Sequence, residues 1–416
     1  MINEATLRYA LQHEDSDVRT LALRGCKDPQ VDLTMALQQI QGRQTARRKL
    51  PSWAAVEGIV YPPHLNMEQC SSELTARYKR EIADGLPSPR SRLLDLTGGF
   101  GVDFAFMAEA FSEAVYVERD AALCALATHN LAFLGRSNAR IVCADAVGYL
   151  STVTASSDGA QPPFTLVFLD PARRDAHGGR TYALADCTPD VTTLMPCLLR
   201  CAGHVLLKLS PMLDWRKAVA DLAPHPVSEV HIVAVDNECR ELLLLLTPGS
   251  AGSQQPVPRL FCIDLHSRDG SRTCFSPQPF SSETQFVTPQ QGHDAAYLYE
   301  PNAAVMKAGC FRELAASFGI GQLAPNSHLF TSASPVAGFP GRCFRITATS
   351  TMNKRDLRAA LGHLERANIA VRNFPLTAGE LRRRLKLADG GTDYIFATTL
   401  ATGEHIVMLC NKVTVQ

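Results

Sequence analysis

No stretch of this chain is apolar for long: its longest leucine run, Leu242 to Leu246, is five residues, against the roughly 20 that a membrane-spanning helix needs. The opening residues, MINEATLRYALQHEDSD, show no basic region followed by an apolar core, so no leader is read there and a cytoplasmic location is expected. None of the thirteen cysteines forms Cys-x-x-Cys, and thirteen is odd. That argues against both a disulfide framework and a zinc ribbon, and leaves reduced, mostly buried thiols as the expectation. The twelve histidines are scattered without paired ligand spacing, so no metal site is expected. Low-complexity tracts and internal repeats are absent as well, which sets aside fibrous and solenoid classes.

What is present is an ordinary soluble composition, 46% hydrophobic and 20% charged over 416 residues, enough for two or three domains with their own cores. Net charge is zero but unevenly spread. From Arg342 to Lys386 there are eleven Lys or Arg against three Asp or Glu, a local +8 that leaves −8 on the remainder. Such polarity suggests a basic face aimed at a polyanion.

Residues 1–85 read as helical, with Leu7, Ala10 and Leu11 on one face, Val18, Leu21 and Ala22 on another, and a long helix over 31–48 that Leu50-Pro51 stops. Asn66, cap-like with Gln69 three residues on, predicts a helix running through Cys70 to Lys79. From Arg92 the texture changes to short apolar runs at 93–96, 114–117, 139–143, 165–169 and 204–209, with helical stretches at 104–111, 121–134 and 188–200 between them. This alternation predicts an α/β fold with a parallel sheet covered on both faces, closed by a hairpin of 229–235 and 239–246. The Gly-, Ser-, Gln- and Pro-rich segment 249–258 reads as a linker. Beyond it a helix at 303–318 lies between strand-like 296–299 and 328–332. A final unit reads strand 343–348, helix 354–366, strand 369–374, helix 378–386 with a capping box at Thr377 and Glu380, and a hairpin turning at 401–403.

The most informative stretch is LLDLTGGFGVD, 93–103, a buried strand passing into a glycine turn that opens a helix. In a doubly wound sheet ligands sit at that carboxyl edge, and Gly98, Gly99 and Gly101 let the backbone approach a ligand. A dinucleotide fingerprint would need glycine at 104, where Phe104 stands. S-adenosylmethionine has no phosphate and instead needs acceptors for an ammonium group and ribose hydroxyls. Asp95 and Asp103 suit the first need. Glu118, closing YVE, suits bidentate binding of the ribose, and Asp145 of CADA, followed by Ala146, suits the adenine amino group. Each acid taken singly is equally a helix cap or a solvated turn residue; it is their recurrence at successive strand ends that points to a ligand.

The fourth strand ends in VFLDPARR, 167–174. Pro171 cannot extend the ladder, which leaves the Asp170 carboxylate at the pocket edge, where it could position a methyl acceptor or receive its proton. Capping of the following loop is the alternative. Arg173 and Arg174 could contact a substrate phosphate, pair with internal carboxylates such as Asp175 or Asp186, or lie in water. His177-Gly-Gly179 suggests a mobile loop. Lys208, near the end of the fifth strand, adds a cation to the rim or forms an internal ion pair.

DLTGGFG, the acid in VYVERD, CADA, DPARR and KLSP together resemble class I S-adenosylmethionine-dependent methyltransferases. More narrowly, YPPHLNMEQCSSELTARYK, YLYEPNAAVMKAG and GELRRRLKL are similar to the bacterial family of such enzymes with a C-terminal THUMP-like domain. The resemblance implies an N-terminal helical region (1–89), a Rossmann-like core (90–249), a ferredoxin-like segment (250–341) and a THUMP-like RNA-binding domain (342–416). It implies S-adenosylmethionine as cofactor, held by Asp95, Thr97, Gly99 and Gly101 on the methionine side, Glu118 at the ribose and Asp145 at the adenine, with Asp170 and Pro171 beside the methyl group. Asp170, Arg173 and Lys208 are the expected catalytic residues, and tRNA or rRNA the expected substrate, with a protein or small-molecule acceptor, or RNA binding without catalysis, as alternatives. One departure argues against methylation of a base amino group: enzymes of that kind carry Asn/Asp-Pro-Pro-Tyr/Phe, and Ala172 and Arg173 fill the last two places here.

Overall fold

The computed structural model describes residues 2–156, 162–173, 184–248, 257–279 and 286–414. The chain divides into two compact units, Met1–Val230 with Arg240–Arg259, and His231–Cys239 with Leu260–Gln416. Among the described residues no helix is long and apolar enough to cross a membrane.

The first unit opens with helices α1 (Glu4–Gln12), α2 (Val18–Arg24), α3 (Leu33–Lys49), α4 (Pro51–Ala54), α5 (His64–Gln69) and α6 (Glu73–Asp84). The expected helix from Asn66 to Lys79 is two helices. Ser72, not Asn66, caps the second, its Oγ accepting from Thr75 N at 3.3 Å. A serine with threonine three residues on satisfies an orphan N–H as well as the Asn66 pattern does. The helices are not a separate layer. Val60 and Asn130 exchange two hydrogen bonds, Val60 N to Asn130 Oδ1 at 2.9 Å and Asn130 Nδ2 to Val60 O at 2.8 Å, and Asn130 is buried. Trp53 meets Phe100 edge-on at 5.1 Å.

The sheet follows in alternation: β1 (Arg92–Asp95), α7 (Val102–Met107), β2 (Glu113–Glu118), α8 (Ala121–Phe133), β3 (Ala139–Cys143), α9 (Ala146–Ser156) and β4 (Phe164–Leu169). After a two-stranded ribbon of β5 (Ala172–Arg173) and β6 (Cys187–Thr188) come α10 (Val191–Cys201), β7 (Ala202–Leu209), α11 (Trp215–Asp221), β8 (Val227–Val235) and β9 (Glu238–Leu246). The order within this unit is β9-β7-β4-β1-β2-β3. β3, β2, β1, β4 and β7 run parallel, and β9 lies antiparallel to β7. Parallel strands buried on both faces read as continuous apolar runs, and Leu93, Leu94, Val117, Leu166, Val167, Val205 and Leu207 are fully buried. Five parallel strands bring five carboxyl ends to one edge.

In the second unit the hairpin tip 231–239 bonds to β10 (Arg259–Leu265) through Asp236 N to Leu265 O at 2.9 Å and Asn237 N to Asp264 Oδ1 at 2.9 Å. β10 pairs antiparallel with β11 (Arg272–Phe275). A seven-stranded sheet then contains β12 (Tyr297–Pro301), β13 (Gly321–Gln322), β14 (Phe330–Ser332), β15 (Gly341–Ser350), β16 (Asn368–Arg372), β17 (Asp393–Thr399) and β18 (His405–Val413), in the order β13-β14-β12-β15-β18-β17-β16. The single helix expected at 303–318 is broken into Ala303–Ala308 and Phe311–Phe318, because Gly309 adopts φ +66° and ends the first. Alternate residues of β17 and β18 feed two cores: Phe396, Ile406 and Met408 on one face, and Ile395, Val407 and Leu409 with Leu357 and Leu381 from the basic helices on the other. The Thr377–Glu380 capping box is present.

Candidate active site

The glycine turn is built from inside. Gly98 N donates to Val117 O at 2.9 Å and Gly101 N to Gly98 O at 2.8 Å, and Gly101 holds φ +84°, a conformation other residues rarely adopt. A Cβ on Gly98 would lie 2.1 Å from the ring of buried Tyr116, whose hydroxyl donates to Gly99 O at 2.6 Å. Gly98 thus makes room for a core side chain, not for a ligand as the sequence suggested. Gly99 is different: it is part-exposed, and an added Cβ would meet nothing nearer than Thr97 O at 3.8 Å; Gly101 is buried, and an added Cβ would make ordinary contact with the Tyr116 ring at 3.7 Å. Phe104 fills the place of the missing third glycine, fully buried and edge-on to Tyr116 at 5.5 Å.

Asp95 is 1% exposed; its Oδ1 accepts from Thr97 N at 2.9 Å, and burial pushes its carboxyl well above the ordinary value. Thr97 Oγ1 in turn accepts from Asp170 N at 2.7 Å, which ties the ends of β1 and β4 together. Glu118 splits its carboxylate, Oε2 accepting from Gly99 N at 3.0 Å and Oε1 from Asp120 N at 2.9 Å. Each carboxylate oxygen has a second lone pair, so Glu118 can hold the turn and still accept from a ligand. Asp145 is exposed and caps α9, its Oδ1 accepting from Val147 N and Gly148 N at 3.0 and 3.1 Å, with Ala146 opening that helix. No bond joins Asp145 to the other acids.

At the β4 and β7 ends the charges converge. Lys208 Nζ lies 2.6 Å from Asp170 Oδ2 and 3.5 Å from Asp103 Oδ2. Burial alone would lower the lysine, but Asp170, Asp103 and Glu241 outweigh it and raise Lys208 well above its usual value, so it stays an ammonium. Burial pushes Asp170 up, and Lys208 opposes this. Asp103 is held below the ordinary value despite burial by Lys79 and Lys208. The structure therefore places Asp103 in ion pairs within the protein, where the sequence had suggested a ligand acceptor. Asp170 Oδ1 has no partner among the described residues, and its side chain is 39% exposed. Pro171 is buried. Only the backbone of Arg173 is described; Arg174, Asp175 and the turn at 177–179 lie outside the described residues, as does most of the 249–258 linker.

Sequence reasoning missed Ser71, Lys79 and Glu241, which close around Asp103. The signal for Lys79 was in the periodicity: it shares the buried stripe of α6 with Thr75, Ala76, Ile82 and Ala83, a place where a lysine needs a reason. Among the described residues no group of three His, Cys, Asp or Glu is placed to hold a metal. The edge as a whole is an open glycine cradle flanked by more anions than cations, suited to a cationic ligand.

A family model described as a ferredoxin-like domain matches residues 297–340, and one described as THUMP domain-like matches 341–412. The chain is 29% identical over 313 residues to an uncharacterized S-adenosylmethionine-dependent methyltransferase of Mycobacterium tuberculosis, found alike in two strains, covering 74% of this chain and 77% of that one. It is similar over 99% of its length to the whole crystal structure of a presumed methyltransferase from Porphyromonas gingivalis, with a TM-score of 0.81 and 29% identity.

Proposed function

Starting from a chain that is a class I S-adenosylmethionine-dependent methyltransferase with ferredoxin-like and THUMP-like domains at its C-terminus, we propose that the acceptor is RNA, of the tRNA or rRNA class. The cradle fits the cofactor: the uncrowded, part-exposed Gly99 lets a ligand approach the backbone, and the flanking carboxylates suit its positive charge. Glu118 would hold the ribose, Asp145 the adenine, and the 95–101 turn the methionine part. When bound, S-adenosylmethionine supplies an electrophilic methyl on a positively charged sulfur.

The remaining chemistry belongs to the chain. Lys208, held protonated, is no base; it favours the ionised form of Asp170 against the effect of burial and fixes the carboxylate in place. The Asp170 Oδ1 lone pairs accept a hydrogen bond from the acceptor N–H or O–H, orient its lone pair, and take the proton that the methylated atom releases. Arg173, three residues beyond Asp170, is assigned to a substrate phosphate.

What carries the RNA reading is the coincidence of the THUMP-like match with the basic segment. Of its eleven cations, Arg342 and Arg372 share buried Glu300, and Arg382 pairs with Asp389. Lys354, Arg355, Arg358, Arg383, Arg384 and Lys386 are exposed and enter no ion pair among the described residues. Purified protein incubated with labelled donor and RNA from cells lacking the gene should transfer label to one nucleoside, which mass spectrometry of wild-type and deleted strains should find missing in the latter. Glu118→Ala should weaken S-adenosylmethionine binding about ten- to a hundredfold by calorimetry, from hydrogen bonds to a charge worth about 1.5–3 kcal/mol each. Identical nucleoside profiles together with unlabelled RNA would remove RNA as the acceptor.

A further inference from the structure

Lys79 is 0% exposed, and its ammonium is enclosed by acceptors: Nζ lies 2.5 Å from Glu241 Oε2, 3.1 Å from Asp103 Oδ1 and 3.2 Å from Ser71 Oγ. Ser71 Oγ lies 2.7 Å from Asp103 Oδ2 and 3.1 Å from Glu241 Oε1, and its one proton goes to the nearer Asp103. A core that only needed filling would use an apolar side chain, because a buried ion pair adds little stability over a hydrophobic one of equal volume. Yet Glu241, Lys79, Asp103, Lys208 and Asp170 form one line of alternating charge, drawn from α6, α7, the β4 end, β7 and β9. The line ends at the group assigned above to the acceptor.

We propose that Lys79, with Ser71 and Glu241, is a positioning residue of the methyl-transfer site: by occupying Asp103 it leaves Lys208 seated on Asp170. Asp103 is shared between two lysines, and Lys208 sits closer to Asp170 (2.6 Å) than to Asp103 (3.5 Å) while the Lys79 charge faces Asp103 Oδ1 at 3.1 Å and Ser71 donates to its Oδ2. Without the Lys79 charge, Asp103 would draw Lys208 toward itself, and Asp170 would lose the cation that favours its ionised form. The inference rests on the role given to Asp170, not on the identity of the acceptor.

The other groups acting on this pair are few. Glu241 adds negative charge; Asp95, pushed up by burial, favours its neutral form; Lys49 lies on the basic side, its own value lowered by burial; and the Cys70 thiol is pushed up by burial. Cation binding beside Asp170 should therefore weaken as pH falls through the Asp170 titration. A loosened Lys208 raises that midpoint, so the weakening begins at higher pH.

The test is the pH dependence of S-adenosylmethionine affinity, by calorimetry, for the full chain, for Lys79→Met and for the double variant Lys79→Met with Glu241→Met. Both variants should show the midpoint raised by about one pH unit, with methyl transfer falling through kcat more than through the KM for the acceptor. If the single variant fails to fold, the double variant, which replaces both buried charges by apolar groups, decides. A double variant that unfolds at the wild-type temperature and reproduces the wild-type affinity profile would overturn the proposal and leave Lys79 a packing residue. A shifted profile in protein that labels no RNA would sustain the proposal and sink the RNA reading alone.

Discussion

Gly98 shows how one missing atom organises this edge. Its Cβ position is occupied by the Tyr116 ring, and the same ring donates to the carbonyl of Gly99, so the turn is clamped from below while its upper side stays open. Gly98→Ala should push the ring aside, break that 2.6 Å bond, and cost about 1–3 kcal/mol of stability, as overpacking does. Urea denaturation would measure the loss, and cofactor affinity should fall with it. Gly101→Ala, by contrast, makes only ordinary contact with the Tyr116 ring at 3.7 Å and should suffer chiefly from its φ of +84°. Equal stability losses at the two positions would mean that Tyr116 does not set the turn.

At the scale of elements, the segment before α5 is fastened to α8 by the reciprocal Val60–Asn130 bonds, reinforced by His129 Nε2 against Gly58 O at 2.7 Å. Asn130→Ala leaves a backbone donor and acceptor without partners and should destabilise the first unit by about 2–4 kcal/mol, seen as an earlier first transition in thermal unfolding. Such fastenings explain what the sequence could and could not disclose. The strands of the core were legible because buried parallel strands read as apolar runs, and β3 was expected at its observed bounds. The two helices α9 and α11 were not, since AVGYLSTVTAS and WRKAVAD lack a clear stripe or a strong stop. At the site, acids ending successive strands could be picked out by spacing. Glu241 could not, and the α6 stripe marked Lys79 only as a lysine in need of a partner, because the two lie far apart in sequence and only the closed fold joins them. That Asp145 caps a helix and Gly98 accommodates a ring follows from packing, which spacing does not report.

At the scale of the whole molecule, charge is segregated: the segment 342–386 carries +8 and the rest −8. Its helix Ala378–Leu385 buries Leu381 and leaves Arg383 and Arg384 exposed, with Lys386 just past its end. If RNA phosphates meet this helix, binding should weaken steeply with salt. Replacing Arg383 and Arg384 by alanine should make the log–log slope shallower by about 1.4 for two lost contacts to a single strand. An unchanged slope in filter-binding titrations would return the helix to a merely solvated face. The family matches meet between residues 340 and 341, yet β12 on one side pairs along its length with β15 on the other. These two C-terminal modules share one sheet.

The pairing of Lys79 with Glu241 spans 162 residues of chain. A ribosome therefore delivers the lysine and one counter-ion, Asp103, long before the nearer one, Glu241. Completion of this unit therefore waits for that strand, and fragments released before residue 241 could pair Lys79 with Asp103 but would lack its nearer carboxylate, Glu241.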